Sequence, residues 1–180
     1  AGGTGGSIPL TAAGSITTRA LFTDAPTQAG SITVQGSSYQ LIAGHNISAK
    51  GSSGTGGTVS ITSTAGDITL SSLGNTTSNR IDVSGTVAGG LLKINSQANF
   101  TTYETSLNAT GGSANGGIIQ VTASTGTINL YQGTTCCATY WNANIDSSST
   151  SAIGGSIQLQ ASTGIASVQD PNINNNNFSV

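Results

Sequence analysis

Residues 56–70 read GGTVSITSTAGDITL, and residues 116–130 read GGIIQVTASTGTINL. Glycines, small residues and aliphatics fall at the same offsets in both. The doublet Gly-Gly or Ala-Gly, followed two residues later by an aliphatic, occurs six times: at Gly5-Gly6, Ala29-Gly30, Gly56-Gly57, Gly89-Gly90, Gly116-Gly117 and Gly154-Gly155. After each doublet one position holds Ile8, Ile32, Val59, Leu92, Ile119 or Ile157. Two residues on stand Leu10, Val34, Ile61, Ile94, Val121 and Leu159, and between them Pro9, Thr33, Ser60, Lys93, Gln120 and Gln158. Alternation at period two is the mark of a strand with one buried face, and helical spacing fits none of the six.

A second short strand is expected eight or nine residues after the first position of each block, with Ile16, Leu41, Ile68, Phe100, Ile128 and Ile165 inward. A third follows in NISAKG, RIDVSG and SLNATG, with inward pairs Ile47/Ala49, Ile81/Val83 and Leu107/Ala109. Leu21, Ile145 and the final NFSV are its weaker versions, and length varies between the second and third strands or just after the third. Three short strands per turn, repeated six times, predict one all-β domain over residues 1–180: a β-solenoid whose aliphatics stack in ladders about 4.8 Å apart. Six coils stand roughly 29 Å tall. Glycine and small polar residues mark the corners.

Composition agrees with stacking. Charged residues make up 6% of the 180, net charge is −2, and Ser plus Thr make up about 30%. Like charges stacked at ladder spacing repel, whereas Ser, Thr, Asn and Gln form hydrogen-bonded rows. Two lysines and two arginines give no basic footprint, so nucleic acid is not an expected partner. No apolar run approaches the roughly 18 residues of a membrane span. Met is absent, and no leader is recognisable, so the chain reads as mature, processed or excerpted.

The blocks GGSIPLTAAGSITT, GGTVSITSTAGDITL and GGSIQLQASTGIASV, each followed by a third strand of the xIxAxG kind, resemble the repeats of filamentous-haemagglutinin-type exoproteins, which bacteria secrete through two-partner systems. The resemblance covers nearly the whole chain. It implies a right-handed parallel β-helix, an extracellular or cell-surface location, and a role in adhesion or fibre formation. The chain departs from that family in two ways: it has no recognisable N-terminal secretion domain, and its coils are longer and less regular.

Residues with chemical potential are few. Cys136-Cys137 sits in the longest insertion, YQGTTCCATYWN. Neither a CxxC spacing nor a matching His accompanies it, so no zinc site is expected. The pair reads as a vicinal disulfide, as bridges to another chain, or as an incidental loop pair. Tyr131, Tyr140 and Trp141 flank it, either as anchors for a sugar or partner protein or as cover for their own loop. Asn-x-Ser/Thr occurs at Asn46, Asn75, Asn99, Asn108 and Asn177 as glycosylation candidates. His45 reads as a turn residue before a strand. The carboxylates Asp24, Asp67, Asp82, Glu104, Asp146 and Asp170 are scattered. Asp82 and Asp146 share an outward row with Asn108 between them, about 10 Å apart, too wide for a retaining glycosidase pair and marginal for an inverting one. Calcium nonapeptides, phosphate loops and an outward threonine array are absent, and neither a cofactor nor catalysis is expected.

The chain opens AGGTGGSIPL and closes NNNNFSV, so end joined to start repeats the grammar of the internal junction at residues 46–61. Neither end carries a polar cap of the kind solenoids use. The expectation is a secreted structural protein, part of a fibre or adhesin stalk, whose partners are copies of itself stacked head to tail, covalently or not. The rival expectations are a carbohydrate- or receptor-binding adhesive module using the 131–141 loop and, further off, a glycan-cleaving β-helix enzyme.

Overall fold

A computed structural model describes residues 2–71, 79–103, 105–131, 144–168 and 178–179. Its strands come in six successive triplets. Coil one holds β1 (Ser7–Thr11), β2 (Ile16–Thr18) and β3 (Leu21–Phe22). Coil two holds β4 (Ser31–Gly36), β5 (Tyr39–Leu41) and β6 (Asn46–Ser48), and coil three β7 (Thr58–Ser63), β8 (Ile68–Leu70) and β9 (Asn79–Asp82). Coil four holds β10 (Leu91–Ser96), β11 (Phe100–Tyr103) and β12 (Thr105–Asn108). Coil five holds β13 (Ile118–Ala123), β14 (Thr127–Tyr131) and β15 (Ile145–Asp146), and coil six β16 (Ser156–Ala161), β17 (Gly164–Val168) and β18 (Phe178–Ser179). First strands pair only with first strands, second with second and third with third, in three parallel sheets of six. The fold is a parallel β-helix of six coils.

Register follows the sequence alignment of the first wall: Ile8, Ile32, Val59, Leu92, Ile119 and Ile157 are successive partners, as are Leu10, Val34, Ile61, Ile94, Val121 and Leu159. In coils two to five these side chains are buried, while those of coils one and six are partly buried against the same core. Each fully buried Val, Leu or Ile contributes about 1.5–3 kcal/mol of transfer free energy. The third wall also stacks as expected, with Leu21, Ile47, Ile81, Leu107 and Ile145 in one row.

In the second wall Leu41 is inward as expected, but it does not share the row of Ile16 and Ile68. Tyr39, not Leu41, is the partner of Ile16 and Ile68; Leu41 pairs with Thr18 and Leu70. Tyr39 is 2% exposed and its hydroxyl meets Thr18 Oγ1 at 2.6 Å. A phenol fits an aliphatic ladder when its polar tip finds a partner, and the hydroxyl of Thr18 supplies one. Ile165 keeps its expected register over Ile128 but is 51% exposed, because it stands in the last coil.

The corner between third and first walls explains the recurring glycines. The second glycine of every doublet after the first donates its N–H across one turn of chain: Gly30 to Thr23 O (2.8 Å), Gly57 to Ala49 O (2.8 Å), Gly90 to Val83 O (2.7 Å), Gly117 to Ala109 O (2.6 Å) and Gly155 to Ser147 O (2.7 Å). These bonds latch coils one to five shut. The glycines also lie against the coil below. A Cβ on Gly57 would sit 2.1 Å from Gly30 O, and one on Gly90 2.1 Å from Gly57 O. Only a residue without Cβ fits such an approach. Spacing across this corner is therefore constant at seven or eight residues. Length varies between second and third walls instead: Thr105 follows Tyr103 almost at once, whereas longer stretches separate Leu70 from Asn79 and Tyr131 from Ile145.

The lower edge has a particular chemistry. Ser31 donates down to Gly6 O, and Ala12 donates up to Gln35 O. Alternation along the strand then turns the backbone groups of Ser7, Pro9 and Thr11 away from coil two. Pro9 has no N–H, so it sits where that loss breaks nothing inside the chain.

Candidate functional site

The variable corner gathers the features with recognition potential. Tyr131 ends β14 and stacks on Tyr103 at the end of β11, with ring centroids 5.0 Å apart and planes inclined by 11°. Such a pair is worth about 0.5–1.5 kcal/mol beyond its burial. Tyr103 was not among the expected residues. The signal for it was available: Tyr103 lies three residues past Phe100 and Tyr131 three past Ile128, so aligned ladders superpose the rings. Tyr140, Trp141, Cys136 and Cys137 lie outside the described residues.

On the third wall, Asp82, Asn108 and Asp146 form the expected outward row. Each turns Oδ1 to the N–H two residues on: Asp82 accepts from Ser84 (2.9 Å), Asn108 from Thr110 (3.3 Å) and Asp146 from Ser148 (2.9 Å). Asn108 Nδ2 also donates to Asp82 Oδ1 at 3.4 Å. Coil two has the shorter Ser48 in this row. There Asp24, from the coil below, accepts from Lys50 N–H at 2.7 Å and from Ser48 Oγ at 2.5 Å. The row thus caps the third strand with Asx turns, and these carboxylates hold backbone donors. Asp82 is nearly buried and also meets Arg80 Nη1 at 3.5 Å.

A second polar ladder runs up the corner between first and second walls. Asp67 Oδ1 accepts from Asn99 N–H (2.8 Å) and Nδ2 (3.1 Å), and Asn99 Oδ1 accepts from Thr127 N–H and Oγ1, both at 3.0 Å. Two of the sequon asparagines therefore have their amide nitrogens engaged, Asn99 with Asp67 and Asn108 with Asp82. Asn46 is exposed, and its Oδ1 accepts from Arg80 N–H at 2.9 Å. Asn75 and Asn177 lie outside the described residues, as do Glu104 and Asp170. His45 immediately precedes β6, following Gly44 at φ 76°, the turn position its sequence context predicts.

Concavities open on the surface among the described residues. One, of about 450 Å³, lies along the glycine corner of coils one to three, between Thr4 and Thr58. Another, of about 280 Å³, lies on the third wall and is lined by Arg80, Ser106, Leu107, Asn108, Thr110, Asn144 and Asp146. Its origin is a ladder effect. Ser106 pairs with Arg80 below, and continuing the register of Leu107 on Ile145 puts Asn144 above. A short side chain between two long ones leaves a gap. Asn144 Oδ1 is shut off from solvent without a hydrogen-bond partner. Among the described residues no group of three or more His, Cys, Asp or Glu is placed to hold a metal ion, and no helix is long and apolar enough to cross a membrane. Comparison with protein-family models, curated proteins and solved structures returns no match.

Proposed function

We propose that the chain is a structural element of an extracellular fibre or adhesin stalk, a rod segment whose stiffness comes from coil stacking. The observation that carries this reading is the unbroken register of three six-stranded parallel ladders through every coil. Parallel pairing at every level, with a continuous aliphatic core, resists bending and shear because no coil can slip without misplacing all three walls. Few charges and many Ser, Thr, Asn and Gln suit long stacks.

Head-to-tail contact between copies is part of the proposal. Coil six of one copy meets coil one of the next, Ile157 over Ile8, Leu159 over Leu10 and Ile165 over Ile16, which extends the register already present inside the chain. A heterologous contact of this kind does not close on itself. Pro9 withholds one donor from that junction, so the contact is weaker than an internal coil step. Sedimentation velocity and negative-stain microscopy of the 180-residue chain test this. End-to-end oligomers that grow with concentration are expected. Pro9→Thr restores one backbone hydrogen bond, about 0.5–1.5 kcal/mol, and tightens association by roughly three- to tenfold. A monomer at every concentration for both chains ends the non-covalent form of the reading.

A second reading, an adhesive module centred on the 131–141 loop, has one observation in its favour. The Tyr103–Tyr131 stack stands where that loop leaves the second wall.

A further inference from the structure

We propose that the concavity on the third wall binds a single saccharide ring, with Ser106 at its floor and Arg80, Asn144 and Asp146 around it. The proposal is independent of the stalk reading, since a stacked wall can both bear load and hold a ligand. Its lining residues belong to the third wall and do not include Tyr131.

Size and chemistry both select this ligand class. About 280 Å³ is at the low end of small-molecule sites and suits one ring rather than a nucleotide or a peptide. Arg80 and Asn144 stand two coil steps apart across Ser106, about 10 Å, which brackets a ring lying on the wall. The lining mixes donors and acceptors. The Arg80 side chain is 55% exposed and offers N–H groups. Asp146 turns Oδ1 to Ser148 N–H, leaving Oδ2 as the oxygen not used by the cap. A hydroxyl both donates and accepts, so a polyol satisfies such a mixture. A small anion faces Asp146, and a bare cation faces Arg80, so neither fits the charge pattern.

Asn144 supplies the independent sign. Its Oδ1 is buried without a partner, an uncommon state for an amide oxygen in a folded wall. Asn144 itself lines the concavity, and the terminal torsion of Asn is broad, so its amide can reorient to meet a ligand hydroxyl. The neighbouring row is preorganised: Asn108 and Asp146 are held by their Asx turns to Thr110 and Ser148.

The test is saturation-transfer NMR on the intact chain with methyl glycosides of glucose, galactose, mannose and N-acetylglucosamine at millimolar concentration. Inorganic phosphate and calcium chloride serve as competitors. At least one glycoside is expected to receive saturation and to be displaced by neither salt. Ser106→Trp fills the concavity and is expected to abolish the signal, Arg80→Gln to weaken binding about tenfold, and Trp141→Ala to leave it unchanged. Circular dichroism checks the fold of each variant. Should Ser106→Trp fail to fold, Arg80→Gln decides the matter, because that side chain is more than half exposed. The proposal is overturned by the absence of transfer to all four glycosides, by displacement with phosphate or calcium, or by binding that survives Ser106→Trp and Arg80→Gln. Binding lost only in Trp141→Ala also overturns it and assigns the sugar to the loop.

Discussion

The two corners that flank the third wall are built on opposite rules. Where the third wall turns into the first, backbone lies on backbone, a glycine N–H latches each of the five turns, and the spacing hardly changes from coil to coil. Where the second wall turns into the third, length varies freely, and the tyrosine pair stands at one side and the polar concavity at the other. The lesson is mechanical. A solenoid needs one corner per coil fixed at atomic contact to hold pitch, and once that is fixed another corner is free to vary. Insertions at a free surface corner add little chain entropy, about 0.6 kcal/mol per doubling of loop length.

The largest expected effect breaks the fixed corner. In Gly90→Ala the new Cβ lies 2.1 Å from Gly57 O, a backbone atom that cannot step aside. A loss of about 3 kcal/mol or more is expected in urea unfolding. Gly6 occupies the same row in coil one, where a Cβ meets nothing within 4 Å, so Gly6→Ala is expected to be close to neutral. Equal stability of the two variants refutes the close-packing account of this corner.

The next effect concerns the wall between the corners. Burial pushes the Tyr39 hydroxyl up to about 12, against the opposing hydrogen bond to Thr18. The fold therefore holds the neutral phenol. Its contribution is full below the unfolded value near 10 and disappears as pH rises from about 10 to about 12, a change of order 2–3 kcal/mol. Unfolding curves of the native chain are expected to lose stability across that window more steeply than those of Tyr39→Phe. Parallel pH profiles contradict the assignment.

The smallest effect has the opposite sign. Thr102 faces inward between Leu70 and Leu130, one residue before the variable corner, and its hydroxyl is buried without a partner. Thr102→Val keeps the shape, removes the orphaned group and is expected to raise stability by about 1 kcal/mol in thermal or urea melts. A destabilised variant implies that the hydroxyl does have a structural use.

The first wall was legible in full because period-two alternation and the glycine doublet align six blocks without gaps. The third wall was legible from Ile47, Ile81 and Leu107. In the second wall Leu41 was aligned with Ile16 and Ile68, a place that Tyr39 holds, because the burial of an aromatic with a polar tip depends on a partner such as Thr18 one coil away. Asp82, Asn108 and Asp146 were correctly placed in one row, yet their use as caps depends on N–H groups two residues on, which no composition rule reveals. The concavity over Ser106 was not foreseen. It exists only because Arg80 and Asn144, far apart in the chain, become the neighbours of a short side chain.

The sequence by itself determined the coil: a period of two dictates strands, six matching blocks dictate stacking, and inward aliphatics dictate one shared core. Tertiary structure alone decided what lies across coils. Which glycine touches which carbonyl, which tyrosines meet, and where a serine leaves a gap all depend on vertical neighbours separated by a whole turn of chain. Local pattern encodes the direction in which a side chain points. Contact with the coil above or below depends on the length of every corner in between, and that sum is closed only when the chain has folded.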